Sequence, residues 1–316
     1  MKTPADTPVP SFAWRRYVVT LACLSGVLIA LVVVVNYFVD PDAYFGRNTL
    51  GDFNLSEGQF KVLGLSRHPD SVILLGNSKA AMTATGMIHS NYSFFNAGVG
   101  GFKIEDVITM LSRVPPSAPA VIVELDFMEF GNDYEFNAYA LPTFNWHNTL
   151  TYLLSGEIFG QSMQTVASAT FHLAPKQLPD GTFVADSWYQ HYDVVDAARH
   201  ADVLKLRETM FRPYRLTQQR IDLLTALRDA LLARGKLFAA YLPPIQPEEM
   251  AILRKFKVWA DFEAWRAQVR EIFPGVVDLT DSPYADLKNF YHQDFHFYPN
   301  IGAEIIEREV LPHLQK

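Results

Sequence analysis

Between Tyr17 and Val39 the chain carries no charged side chain, and positions 28–35 read Leu-Ile-Ala-Leu-Val-Val-Val-Val. A helix of that length reaches across about 30 Å of hydrocarbon, and a helix satisfies its own backbone polar groups there. Arg15 and Arg16 stand immediately before the run with Lys2 upstream, while Asp40 and Asp42 follow it. Lys and Arg mark the cytoplasmic flank of a membrane span. The expectation is therefore a single-pass signal anchor in the cell inner membrane, with its N-terminus in the cytoplasm and the remainder periplasmic or otherwise extracytoplasmic. A cleaved secretory signal is the rival reading. Its apolar core is usually shorter, and no A-x-A-like cleavage site follows this run. A buried core helix would carry a polar face, which this one lacks.

The organisation expected from this start is a cytoplasmic tail at residues 1–13, an anchor at 14–39 that meets the lipid bilayer through residues 17–39, and one domain at 40–316. A formal charge of −7 and a pI near 5.7, with no Lys/Arg cluster in the folded part, exclude the electrostatic footprint of a nucleic-acid-binding protein. The sole cysteine, Cys23, lies inside the apolar run, so no intramolecular disulfide and no cysteine-based metal cluster can form.

Past residue 40, short apolar runs alternate with longer helical patterns, which is the signature of parallel β-α units and predicts an α/β fold. Five runs are strand candidates: 71–76 (SVILLG), 93–98 (SFFNAG), 120–127 (AVIVELDF), 236–244 (KLFAAYLPP) and 275–281 (GVVDLTD). Thr217 suits the N-cap of a helix carrying Ile221, Leu224, Leu227 and Leu231, closed by Gly235. A last helix is expected from about Pro299, with Ile301, Ile305 and Val310 facing the sheet before Pro312 stops it. The stretch from about 134 to 215 breaks the alternation and is rich in aromatics, His and amides. It is expected as an insertion over the carboxyl edge of the sheet, either a lid or glycan-binding surface or a cap that completes the core.

Three constellations carry candidate chemistry. In 74–82 (LLGNSKAAM) an apolar strand ends in Gly76 and Asn77, and Ser78 opens a helix. A serine there sits at the strand's carboxyl edge, where open α/β sheets place ligands, and its own N–H can meet a developing oxyanion. The plainer reading makes it an N-cap. In 96–107 (NAGVGGFKIEDV) Asn96, Gly98, Gly100 and Gly101 form a tight turn between a strand and an amphipathic helix, and glycine allows a backbone N–H to approach a substrate oxygen. A plain β-α turn has the same composition. In 291–306 (YHQDFHFYPNIGAEII), Asp294 and His296 stand two apart, so extended backbone turns both side chains the same way. A serine nucleophile needs a positioned base, and that base works best with a carboxylate to hold its tautomer. His292 is a spare base. Surface polar residues around a helix start, or a two-His-one-Asp metal site, are the alternatives.

The order of these motifs resembles the SGNH/GDSL hydrolase superfamily: a Ser block on the first strand, a Gly block after the second and a C-terminal Asp/His block. Asp294-Phe295-His296 with an aromatic after it, then Pro299 and Gly302, looks like the variant found in membrane-associated polysaccharide O-acetyltransferases of the alginate type. The N-terminal anchor with 40–46 (DPDAYFG) just beyond it is similar to anchored SGNH-like proteins and to the D-alanyl-transfer protein group. The resemblance spans roughly residues 68–312. It implies a three-layer α/β/α, flavodoxin-like parallel sheet, with Ser78 as nucleophile, His296 as base, Asp294 as its orienting partner, and the N–H groups of Ser78 and Gly101 in an oxyanion hole. Gly76-Asn77-Ser78 stands where the family has its GDS block. Asp126 stands where members carry the asparagine of G-x-N-D, and Asn132, slightly late in the chain, is the candidate for that missing donor.

The activity this implies is acyl transfer, with acetyl as the expected group, to an exported polysaccharide or other envelope glycan, or ester hydrolysis on one. No metal and no organic cofactor is called for. A transferase would need a separate multi-pass membrane protein to present the acyl group, because one span cannot move a donor across a bilayer. The alternative from a different class is a non-catalytic glycan-binding or assembly subunit, using the same cleft and the aromatics around Phe144, Trp146 and Trp188.

Overall fold

The computed structural model describes residues 11–51, 57–131, 146–184, 197–291 and 295–315. In chain order the elements of its first half are α1 (Ser11–Val39), α2 (Glu57–Arg67), β1 (Val72–Leu75), α3 (Ser78–Ala81), β2 (Phe94–Asn96), α4 (Ile104–Leu111) and β3 (Ala120–Glu124). The second half holds α5 (Trp146–Leu154), α6 (Gly156–Thr170), α7 (Ala197–Phe211), α8 (Gln218–Ala233), β4 (Leu237–Leu242), α9 (Pro247–Lys255), α10 (Trp259–Ile272), β5 (Val277–Asp278) and α11 (Pro299–Ile305). Contacts divide the chain into two compact units, Met1–Leu50 with Thr143–His172, and Gly51–Pro142 with Leu173–Lys316. The 134–215 stretch is thus shared out, with α5 and α6 in the first unit and α7 in the second.

The first unit is built on α1, in which the 26 residues Trp14–Val39 are long and apolar enough to cross a membrane. Both α5 and α6 pack on it. Asn36, fully buried although it belongs to the apolar run, organises the packing. Its amide nitrogen lies 3.3, 3.1 and 3.0 Å from the carbonyls of Tyr152, Leu153 and Ser155. These carbonyls lie at the junction of α5 and α6, where that of Tyr152 also accepts the Ser155 N–H and that of Ser155 the Phe159 N–H. Ser162 of α6 donates to the Asn36 Oδ1 at 3.3 Å. Just past α1, the Asp40 carboxylate accepts the N–H groups of Phe45 and Arg47, at 2.9 and 2.8 Å, and the Tyr152 hydroxyl at 3.1 Å.

The second unit is an α/β structure around a five-stranded sheet ordered β2-β1-β3-β4-β5, parallel throughout. Each strand falls inside one of the five apolar runs. Period-two alternation sends Ile73, Leu75, Val121, Val123, Phe238, Ala240 and Leu242 into one core cluster and Val72, Leu74, Ala120, Ile122, Ala239 and Tyr241 into another, so both faces are buried. The larger cluster takes in Val107 and Met110 of α4, Leu224 and Leu227 of α8, and Phe262 and Trp265 of α10, while the smaller takes Ile305 of α11 with Ile306 and Val310 beyond it. Helix α8 buries Ile221, Leu224, Leu227 and Leu231 as its spacing predicts. Gly235 follows it at φ +60, the left-handed closure that glycine takes without strain. After α11 the chain passes into a π-helical turn at Ile306–Val310.

The chain moves from β1 to β2 in one direction and from β2 across to β3 in the other, so the order reverses beside β1. Open parallel sheets bind ligands at such a reversal, beyond the carboxyl ends of the strands.

Leu224 is fully buried in α8, whereas Leu232 on the same helix is 48 % exposed. Leu224→Ala is expected to destabilise the protein by about 2–5 kcal/mol and Leu232→Ala by less than about 0.5 kcal/mol in urea denaturation monitored by tryptophan fluorescence.

Candidate active site

Ser78 begins α3, a single turn directly beyond the carboxyl end of β1. Gly76 makes the exit from the strand at φ +152, and a Cβ there would meet the Glu124 and Ala80 Cβ atoms at 2.6 and 2.8 Å, so only glycine fits. Asn77 caps the turn, its Oδ1 accepting the Lys79 N–H at 2.9 Å. Ser78 is left partly exposed while Lys79, Ala80 and Ala81 are buried.

Four interactions seat this turn. The Asn96 side-chain nitrogen lies 2.7, 3.2 and 2.9 Å from the carbonyls of Ala80, Ala81 and Thr83, tying the end of the turn to the end of β2. Glu124, at the end of β3, accepts the Ala80 N–H at 3.2 Å through Oε1 and the Tyr241 hydroxyl at 2.8 Å through Oε2. Lys79 extends beneath the turn to Asp126 at 2.8 Å, with Glu249 of α9 at 3.9 Å. On the remaining side, the Ala84 N–H donates to the Pro299 carbonyl at 3.1 Å, and Gly302 of α11 packs so closely that a Cβ would come 2.5 Å from the Thr83 hydroxyl.

That last contact registers the histidine against the serine. His296 precedes α11 between the buried rings of Phe295 and Phe297, and its carbonyl accepts the Tyr291 N–H at 3.0 Å. Phe290 and Phe297 form an antiparallel bridge that closes the loop. The outcome is a His296 Nε2 to Ser78 Oγ distance of 2.7 Å between residues 218 apart in sequence. Both side chains are partly exposed, as a pair that meets a substrate must be.

The glycine turn lies alongside. A Cβ on Gly100 would stand 3.9 Å from that of Ser78, and the Gly100 N–H donates to Glu57 Oε2 at 3.0 Å. Burial, opposed by Lys61 and then by this N–H, raises the Glu57 pKa. Gly101 next to it takes φ +77, the conformation its residue type permits. Asp294, Asn132 and the spare base His292 lie outside the described residues. Among the described residues no group of three or more His, Cys, Asp or Glu is arranged to hold a metal ion.

Sequence reasoning singled out Asp126 only as an occupant of the asparagine position; in the structure it is the counter-ion of Lys79. Burial alone would lower the Lys79 pKa, but the charges of Asp126 and Glu249 outweigh it and raise it. Burial alone would raise that of Asp126, but Lys79 outweighs this and the pKa falls. Among the described residues Glu124 makes no ion pair. Burial first, then the Asp126 carboxylate, push its pKa up to about 8, against lowering by Lys79, Tyr241 and the Ala80 N–H. Glu129 is also raised, by burial and then by Asp126 and Glu124. The signal for this cluster was present in Glu124-Leu125-Asp126, two carboxylates two residues apart at a strand end.

Fold and site together define the class: a parallel α/β protein with a serine–histidine pair beyond the carboxyl edge of its first strand. Comparison of the chain with models of known protein families finds no match, and comparison with curated proteins finds none.

An acid whose folded pKa lies above its unfolded value keeps its proton in the folded state after the unfolded chain has lost it, so stability declines as pH rises between the two. With Glu124 near 8 when folded and 4.5 as its ordinary value, thermal or urea stability is expected to fall from about pH 5 to pH 8. Glu124→Gln, measured beside the wild type, should show a visibly shallower slope over that range, with the other raised acids, Glu129 and Glu57 among them, sustaining what remains.

Proposed function

We propose that this chain is a membrane-anchored serine acyltransferase or esterase of the SGNH type, acting through an acyl-enzyme on an exported polysaccharide or other envelope glycan. The observation that carries this reading is the 2.7 Å contact between the Ser78 hydroxyl and His296 Nε2, at the strand edge where such a pair works. In this reading the second unit is the three-layer fold of that superfamily. The strand order and the two buried sheet faces support it.

Ser78 Oγ attacks the acyl carbonyl while His296 Nε2 takes its proton. The tetrahedral adduct collapses with release of the donor alkoxide, which receives that proton from His296, and the acyl group stays on Ser78. A glycan hydroxyl, or water, then gives its proton to His296 and attacks the acyl-serine, and Ser78 recovers its hydrogen as the ester product or free acid leaves. Asp294 is assigned to hold the His296 tautomer. The Ser78 N–H and the glycine turn, through Gly101 with Asn132 as a further donor, are assigned to the oxyanion. The 2.8 Å Lys79–Asp126 pair and the Glu124 bond hold the nucleophile still. Where the reaction is a transfer, a multi-pass membrane partner delivers the acyl group from across the bilayer, and α1 keeps the enzyme in that partner's membrane.

Incubation of the purified protein with an activated acetyl ester, followed by peptide mass spectrometry, should show one acetyl group on Ser78. Ser78→Ala and His296→Ala should each lower the rate of ester turnover at least about 10³-fold while leaving the far-ultraviolet circular dichroism and unfolding midpoint unchanged. Full turnover by Ser78→Ala would refute the serine mechanism.

A further inference from the structure

Helices α5 and α6 are amphipathic the wrong way round for water. The buried positions of α6 are Ser162, Thr165 and Ser168. Its outward positions include Met163, 49 % exposed, and Val166, beside Gln164 and Ala167, with Glu157 and Thr170 towards its two ends. On α5, Trp146, Leu150 and Leu154 point outward at helical spacing, and Phe171, 75 % exposed, follows α6. A helix at a protein–water boundary does the opposite, turning its hydroxyls out and its large apolar side chains in. From Asn148 to Pro175, Glu157 is the only Asp, Glu, Lys or Arg. Single exposed apolar residues are ordinary, but a contiguous set on neighbouring helices marks a surface meant to be covered.

The position of the pair along α1 names what covers it. At 1.5 Å per residue, the 26 residues Trp14–Val39 run about 39 Å, roughly 9 Å more than a hydrocarbon core needs. Residues 14–31 of α1 are exposed throughout, and shielding begins only at Val32. Contacts with α5 and α6 centre on Asn36, in the surplus turns, where the helix leaves the hydrocarbon for the headgroups. Trp146 at the start of α5 is the residue type enriched at that depth. The apolar surface of α5 and α6 is therefore continuous with a helix whose own exposed side chains demand lipid.

Resting on the reading of α1 as a membrane span, we propose that α5 and α6 form an interfacial hairpin whose outer face lies in the headgroup–acyl boundary of the leaflet from which α1 emerges. The chain meets the bilayer through three helices, one crossing it and two lying on it. The Asn36 network faces away from the lipid, which is why it can be polar.

The test uses the full chain in liposomes of zwitterionic and anionic phospholipid. Its sole cysteine, Cys23, is exposed on α1 and serves as the internal marker of the anchor. In a Cys23→Ser background, Leu150→Cys, Met163→Cys and Val166→Cys report on the hairpin, and Leu232→Cys on α8 reports water. Each is labelled with an environment-sensitive fluorophore and challenged with lipids spin-labelled at shallow or deep acyl positions. The expected result is at least about twofold quenching of positions 150, 163 and 166 by shallow labels, none at 232, and quenching of position 23 by deep labels. Labels at 150, 163 and 166 that behave like 232 while 23 stays embedded would overturn the hairpin and leave the anchor standing. A position 23 that reads as water would overturn both. Blue-shifted emission at 163 and 166 without lipid quenching would overturn the proposal in favour of a protein partner or a second copy on that face.

Discussion

Lys79 is an amino group that the fold has taken out of water one residue after the proposed nucleophile, and much of the site follows from that. A buried ammonium is tolerated only beside a matching carboxylate, and removing either partner of such a pair costs about 3–5 kcal/mol. Asp126 supplies the match at 2.8 Å. Because Lys79 belongs to α3 and Asp126 follows β3, the pair locks the serine turn onto the neighbouring strand. Glu124, two residues earlier, reaches the same turn from the same side and binds its backbone. Ser78 thus stands on a turn whose underside is anchored by charge and whose top remains open. Rigid support beneath and access above are what a nucleophile requires.

The carboxylates around Lys79 have divided roles. Asp126 is held ionised and Glu124 is held near neutrality, although they are two residues apart and both buried, because Lys79 pairs directly with Asp126 while Glu124 accepts from the Tyr241 hydroxyl and the Ala80 N–H. A like charge beside a buried acid favours its protonated form, so each ionisation makes the next one harder. Burial and the neighbouring Asp126 charge hold Glu124 and Glu129 toward their protonated forms, which limits the charge buried there.

The sheet was legible because its signal is local. Strands buried on both faces read as near-continuous apolar runs, and β1, β2, β3, β4 and β5 all fall within such runs. Helix α8 was legible for a similar reason, since Ile221, Leu224, Leu227 and Leu231 repeat at helical spacing. The assignment of Ser78 and His296 as partners came from the order of short motifs, and their meeting depends on contacts that leave no local mark: Gly302 against Thr83, and Ala84 bonded to Pro299. The division of the 134–215 stretch was not legible. What draws α5 and α6 to α1 is Asn36, an amide within an apolar run, and nothing in its neighbours names the carbonyls it binds. The role of Lys79 was hidden too, because a lysine in a helix start reads as solvent-facing until the strand beside it is known.

The contact between Thr83 and Gly302 also sets an order of events. The serine turn takes its Asn96 and Glu124 bonds from β2 and β3, whereas Pro299 and Gly302, which close its remaining side, and the loop bearing His296 lie more than two hundred residues further along the chain. A chain that stops short of that loop carries the Ser78 hydroxyl without the imidazole that meets it at 2.7 Å. Assembly of the Ser78–His296 pair therefore waits on one of the last stretches of chain to be synthesised.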